Sequence, residues 1–268
     1  MTDSRVAVPT PSRSADIKDR IISAAAVPQL WGLSMVLWGQ PGVGKTPLAA
    51  TAQDSEYGRD VIFIAPEAGM ASIADRKDVM VFPTDEWGDF AKIEKFLSKS
   101  EHTYRTFVLD TVDAMQKMAR DKVLIDKGLS DEEQLTLPMY GRANEMCLTF
   151  IDKLRVLSTQ RGWNMIIIAH DETEKDELMG GLITRLSVSA GLAKAVVRMV
   201  DAIGYMSVGK DKTDRTKLVR TLEFQPTTSR MGKMRLPLTG PQVPLTLTGE
   251  RISLAPILKA LRERRDAK

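Results

Sequence analysis

Gly39, Gln40, Pro41, Gly42, Val43, Gly44, Lys45 and Thr46 form one unbroken run, GQPGVGKT, that meets the spacing G-x-x-x-x-G-K-[ST] in full. Glycines at 39, 42 and 44 let successive backbone amides turn inward, making a nest of N–H donors for phosphate oxygens. Lys45 adds a point charge for the same oxygens, and the Thr46 hydroxyl is a hard oxygen ligand for Mg²⁺. A glycine-rich turn could carry the same letters. Here, however, an apolar run precedes it (LSMVLW, 33–38) and a helical pattern follows from Lys45 through LAATAQ. A helix N-terminus at that point favours an anion. The chemistry predicted is the binding of a nucleoside triphosphate with Mg²⁺. Pro47, which completes the cradle, restricts the residue before it, so a slightly altered geometry at Thr46 is expected.

Hydrolysis also needs acids at the same place. TFVLDT puts Asp110 at the end of an apolar run, where a carboxylate holds Mg²⁺; the competing reading is a helix N-cap. Asp113, one turn on, reads as a capping or surface acid. Glu67 follows VIFIAP at the tip of another strand, and a carboxylate there can orient and deprotonate the attacking water. A solvated loop glutamate is the alternative. NMIIIAH ends in His170, positioned to sense a γ-phosphate or merely to close a strand, whereas His102 in SEHTY reads as a surface residue.

The elements that must position these residues alternate. Buried strands are predicted at 33–38, 61–65, 79–82, 105–110 and 164–170. Helices are predicted from about Ser14 to Ala26, after Lys45, at 87–98, after Thr111 and at 141–161. Polar stretches 126–138 and 171–187 read as loops. AIGYMSV and KLVRTLEF flank GKDKTDRT as a β-hairpin, one or two short strands follow, and a basic helix (about 253–265) comes last. The fold class expected is α/β, a mostly parallel central sheet flanked by helices with a C-terminal antiparallel hairpin extension. In a parallel sheet the strand tips share one crevice, which would bring 39–47, Glu67, Asp110 and His170 together. Residues 1–12 read as a disordered lead-in, 13–250 as one ATPase domain and 251–268 as the basic helix.

The 268 residues, 43% hydrophobic and 27% charged, suit one large soluble domain. A net charge of +3 neither requires nor forbids nucleic acid. One cysteine, Cys147, excludes an internal disulfide or a multi-cysteine zinc site, and two histidines argue against a histidine-built metal site. No membrane span or signal peptide is read, and a cytoplasmic location is expected.

Taken in order, GQPGVGKT, FIAPEAGM, FVLDTVDAM and IIIAHDE resemble the motifs of the RecA-like recombinase core. Closer still is the resemblance to the phage-encoded RecA-like ATPases of the Sak group, over roughly residues 30–240, including VRMVDAIGYMSV and TSRMGKMR. It implies Glu67 as catalytic glutamate, Asp110 as the Mg²⁺-associated aspartate and His170 as the polar strand-end sensor. It also implies that Lys233 and Arg235 reach the nucleotide of a neighbouring subunit, the plainer reading being a surface basic cluster. Pro66 departs from the family, which commonly has an acid there.

The resemblance further implies single-stranded DNA as partner, in recombination, annealing or replication within a host cytoplasm, and assembly into a ring or filament. DNA would be held by loops near 126–142 and 171–191. Those loops carry Asp131, Glu132, Glu133, Asp171, Glu172, Glu174, Asp176 and Glu177 against Arg142, Arg185 and Lys194, with Tyr140 as sole aromatic. Acidic loops oppose phosphate binding. The alternative is a nucleotide-gated switch with weak hydrolysis that binds a recombination or replication protein through 171–177. A GTPase is disfavoured because no N-K-x-D motif occurs, DKTD (211–214) falling in the hairpin turn; a small-molecule kinase shares the phosphate loop and stays an alternative, though strand-tip Glu67 with a basic C-terminal hairpin is less expected there.

Overall fold

In the computed structural model the described residues are 32–99, 101–130, 135–175, 180–235 and 242–266. The predicted lead-in and first helix lie outside them, as do Asp131, Glu132, Glu133, Asp176 and Glu177.

The apolar runs are the strands, nearly as read: β1 (Ser34–Gly39), β2 (Val61–Ala65), β3 (Met80–Pro83), β4 (Thr106–Asp110) and β5 (Asn164–Lys175). Helix α1 (Lys45–Ala50) follows β1, α2 (Gly88–Ser98) follows β3, and α3 (Val112–Asp126) and α4 (Leu137–Arg161) lie between β4 and β5. Then come β6 (Leu182–Leu186), α5 (Ala190–Met199), β7 (Ala202–Lys210), β8 (Leu218–Glu223), β9 (Lys233–Met234), β10 (Thr246–Gly249) and α6 (Ala255–Asp266).

The sheet runs β10-β8-β7-β1-β5-β4-β2-β3, with β6 beside β5 and β9 beside β7. Pairing is parallel from β7 through β3 and antiparallel at β7–β8 and β8–β10. The predicted α/β class with an antiparallel C-terminal extension is therefore the observed one. Near-continuous apolar runs are what a sheet covered on both faces requires. Alternate residues serve opposite layers. Val36, Trp38, Ile64, Leu109 and Ile167 pack with residues of α2, α3, α4 and α5. Met35, Leu37, Phe63, Val108 and Ile166 pack with Leu48 of α1 and with Ile257 and Leu258 of α6.

Three stretches differ from the sequence reading. Within the stretch read as a loop, residues 171–175 and 182–186 are strand: β5 runs on to Lys175 and pairs antiparallel with β6, Asp171 opposite Leu186 and Thr173 opposite Thr184. The β5 half of this ribbon, DETEK, is wholly polar, so no apolar alternation marks it, and cross-strand pairs such as Arg185–Glu174 (2.6 Å) link it to β6. Helix α4 starts at Leu137, four residues early, because Pro138 occupies the first turn, where its missing N–H costs no bond. Helix α5, with Leu192 and Val196 buried, was not read from the sequence at all.

Candidate active site

The parallel registers bring four strand tips to one edge. Gly39 at the end of β1 pairs with His170, Asp110 of β4 pairs with Ile168, and Leu109 pairs with Ile64, three residues before Glu67. Gly39 is glycine for a reason beyond loop turning: a Cβ there would stand 2.2 Å from the Met206 carbonyl oxygen of β7, and its φ is +150°. Gly44, with φ +102°, gives the left-handed turn into α1.

Lys45 is 5% exposed. Its Nζ donates to the carbonyls of Gly39 (2.7 Å) and Gln40 (2.9 Å). Burial lowers its pKa below the usual lysine range, opposed by the nearby carboxylates of Asp171, Asp113, Asp110 and Glu67. An ammonium that donates to two loop carbonyls and has four acids nearby fits a cradle that takes an anion together with a cation. The Thr46 hydroxyl donates to Asp110 Oδ2 at 2.6 Å. Asp110 is 4% exposed, and burial raises its pKa, the Thr46 hydrogen bond working against that and Glu67 adding to it. A hydroxyl and a carboxylate are the hard oxygen donors Mg²⁺ prefers, so Thr46 and Asp110 would hold it. Such an ion would supply charge neutralisation at phosphoryl oxygens. Pro47 sits in the first turn of α1, where the N–H it lacks would have had no helical partner, and the Thr46–Asp110 bond forms regardless.

The N-cap of α3 is Thr111, whose hydroxyl oxygen accepts from the Ala114 N–H (3.3 Å), so Asp110 is not the cap. The Thr111 hydroxyl lies 3.3 Å from Glu67 Oε2, tying the exposed glutamate to the β4 tip. His170 lies beside both. One of its ring nitrogens, a carboxylate oxygen of Glu67 and one of Asp113 all lie within 4.8 Å of one another.

Asp113 is thereby corrected: it is a crevice residue, with the His170 Nδ1 at 2.6 Å and the His170 backbone N–H at 3.2 Å. Burial raises its pKa, but the bond to His170 outweighs this and leaves it below the usual carboxylate range; the same bond raises the pKa of His170. Its spacing, three residues past Asp110 on the first helical turn, was the available signal. Three more residues escaped the sequence reading: Tyr205, whose hydroxyl donates to Asp171 (3.0 Å), Arg230, which stacks on that ring (4.4 Å), and Arg220 of β8, which donates to the Val43 carbonyl (3.3 Å) behind the phosphate loop.

Lys233 and Arg235 are not brought to this crevice. Lys233 pairs with Ile203, toward the Ser34 end of β1, and its Nζ donates to the Val197 (2.9 Å) and Val200 carbonyls at the end of α5. Burial lowers its pKa, helped by Arg235. Arg235 lies 3.7 Å from Asp201, which also accepts from the Ser34 hydroxyl. His102 is not a surface residue either: it is half-buried, its Nε2 2.8 Å from the Leu97 carbonyl and its ring 5.1 Å from Trp163.

A phosphate loop with a strand-tip acid on a covered parallel sheet defines a P-loop NTPase. The chain belongs to the AAA domain family, whose model (AAA_24) matches residues 32–236, the span that holds every residue of the crevice. That membership carries nucleotide binding and ATPase activity as general properties. No curated protein matches the chain. No helix among the described residues is long and apolar enough to cross a membrane.

Proposed function

We propose that this chain is a RecA-like ATPase of the phage Sak type that hydrolyses ATP with Mg²⁺ and acts on single-stranded DNA in recombination, annealing or replication. The observation that carries the ATPase part is the Thr46–Asp110 contact of 2.6 Å beside buried Lys45, with Glu67 just past the tip of β2, the strand that pairs with β4. That separation matters chemically, because it puts the metal-holding acid and the water-activating acid on different strands facing one crevice. Glu67 accepts the proton of the attacking water, Lys45 and the loop amides hold the β- and γ-phosphates, and His170 meets the γ-phosphoryl end.

His170 also connects the crevice to the β5–β6 ribbon. The residue after it, Asp171, begins the β5–β6 ribbon, and the Ser187 N–H beyond β6 donates to the His170 carbonyl (2.9 Å). A shift at His170 is therefore felt at the root of the ribbon. DNA as partner, and a ring or filament in which a neighbour supplies Lys233 and Arg235, are supported by the resemblance of the motifs.

The ribbon itself favours a second reading. Its stem shows Asp171, Glu172 and Glu174, and Glu174 already pairs with Arg185. Such a stem suits a basic protein surface, which would make the chain a nucleotide-gated interaction switch. Phosphate release measured with and without single-stranded DNA, on wild type and Lys45→Ala, separates the two. The DNA reading expects stimulation that the variant lacks and binding that weakens steeply with salt. No stimulation by any nucleic acid would sink it and leave the protein switch.

A further inference from the structure

Asp113 spends both carboxylate oxygens on one residue of another element: Oδ1 accepts from the His170 backbone N–H and Oδ2 meets Nδ1. An acid that merely complemented the N-terminus of α3 would need neither contact. Asp113 is held ionised, so it can only accept, and Nδ1 must carry the proton of that bond. Nε2 is then the nitrogen left for the crevice: an acceptor when the ring is neutral, a donor when it is charged. The other charged groups around the ring are Glu67, after β2, which favours the charged ring, and Lys45, on α1, which opposes it; Asp110, at the end of β4, is near enough to interact with the ring as well. Asp171 follows in the chain and is engaged by Tyr205 of β7.

We propose that Asp113 is a positioning residue for nucleotide hydrolysis: it fixes the His170 ring so that Nε2 presents a proton to the terminal phosphoryl group beside Glu67. This rests on the hydrolysis reading above. Asp113 touches no reacting atom; it acts through His170 and links α3 to the strand tip whose backbone continues into the β5–β6 ribbon.

Because the chain has two histidines, NMR of ring-labelled protein without nucleotide follows both titrations, and His102→Asn assigns them by loss of one signal. In Asp113→Asn the His170 midpoint falls while that of His102 stays. Above neutral pH the variant's kcat drops by about tenfold or more, its alkaline limb moves to lower pH, and its KM for ATP stays within about threefold. Asp113→Glu, which keeps the charge, restores most of the rate. An unmoved His170 midpoint in Asp113→Asn overturns the proposal, as does an alkaline limb identical to wild type. If wild type hydrolyses no ATP, the ATPase reading fails by itself, and the titration still decides whether Asp113 holds the ring.

Discussion

Replacing Thr46 with valine keeps the shape of the side chain and deletes one hydroxyl. That hydroxyl is the donor to Asp110 Oδ2 at 2.6 Å, and the carboxylate it serves is 4% exposed. A hydrogen bond to a buried charge contributes about 1.5–3 kcal/mol. For a chain of this size each kcal/mol moves Tm by roughly 2–4 °C. Thr46→Val should therefore melt on the order of 5–10 °C below wild type near pH 8.

The pH dependence gives the sharper test. Asp110 in the fold titrates above its ordinary 3.8, so its ionisation costs stability as pH rises, and the Thr46 hydroxyl reduces that cost. Removing the hydroxyl raises the folded pKa further. The penalty is thus fully present above the variant's folded pKa for Asp110 and fades as pH falls through that of the wild type, below which the carboxyl is neutral in both proteins. Thermal scans at several pH values check this. In the same scans with ATP, the part of the stabilisation that depends on Mg²⁺, about 2.7 kcal/mol at a hundredfold excess over Kd for a tight site, should vanish in the variant. Equal melting at pH 8, a penalty that ignores pH, or an undiminished Mg²⁺-dependent shift would each refute the reasoning.

Glu67→Gln removes the proton acceptor and keeps the hydrogen-bonding shape, so phosphate release should fall by roughly 10²–10⁴ while labelled ATP stays bound; release within tenfold of wild type would take Glu67 out of the chemistry. Lys233→Met deletes the donor to the Val197 and Val200 carbonyls. From that geometry it should lower Tm by several degrees and leave the ATPase rate per chain unchanged across protein concentration. A rate loss that grows where wild type assembles would instead place Lys233 at a neighbour's nucleotide.

The local signals and the observed site agree where one short segment decides the outcome. GQPGVGKT is a contiguous loop, so its glycines, Lys45 and Thr46 carry their geometry with them. The tips at Asp110 and His170 were legible because each closes an apolar run too short for a helix and bounded by breakers. Glu67 was legible for the same reason, two residues past Ala65. Helix α5 was not, since it is short and its Leu192–Val196 spacing spans a single turn; nor was the β5–β6 ribbon, whose β5 half, DETEK, is wholly polar and offers no alternation.

By itself the sequence determined the phosphate cradle, the α/β alternation and the acids at the strand ends, because each depends on residues adjacent in the chain. Only the tertiary structure decided that Asp113 faces His170 across 57 positions, that Asp171 closes on Tyr205 across 34, and that Lys233 turns to the end of α5. Side chains so far apart are joined by sheet register and by the direction in which each helix leaves its strand. Those are set by the whole core and written in no single segment.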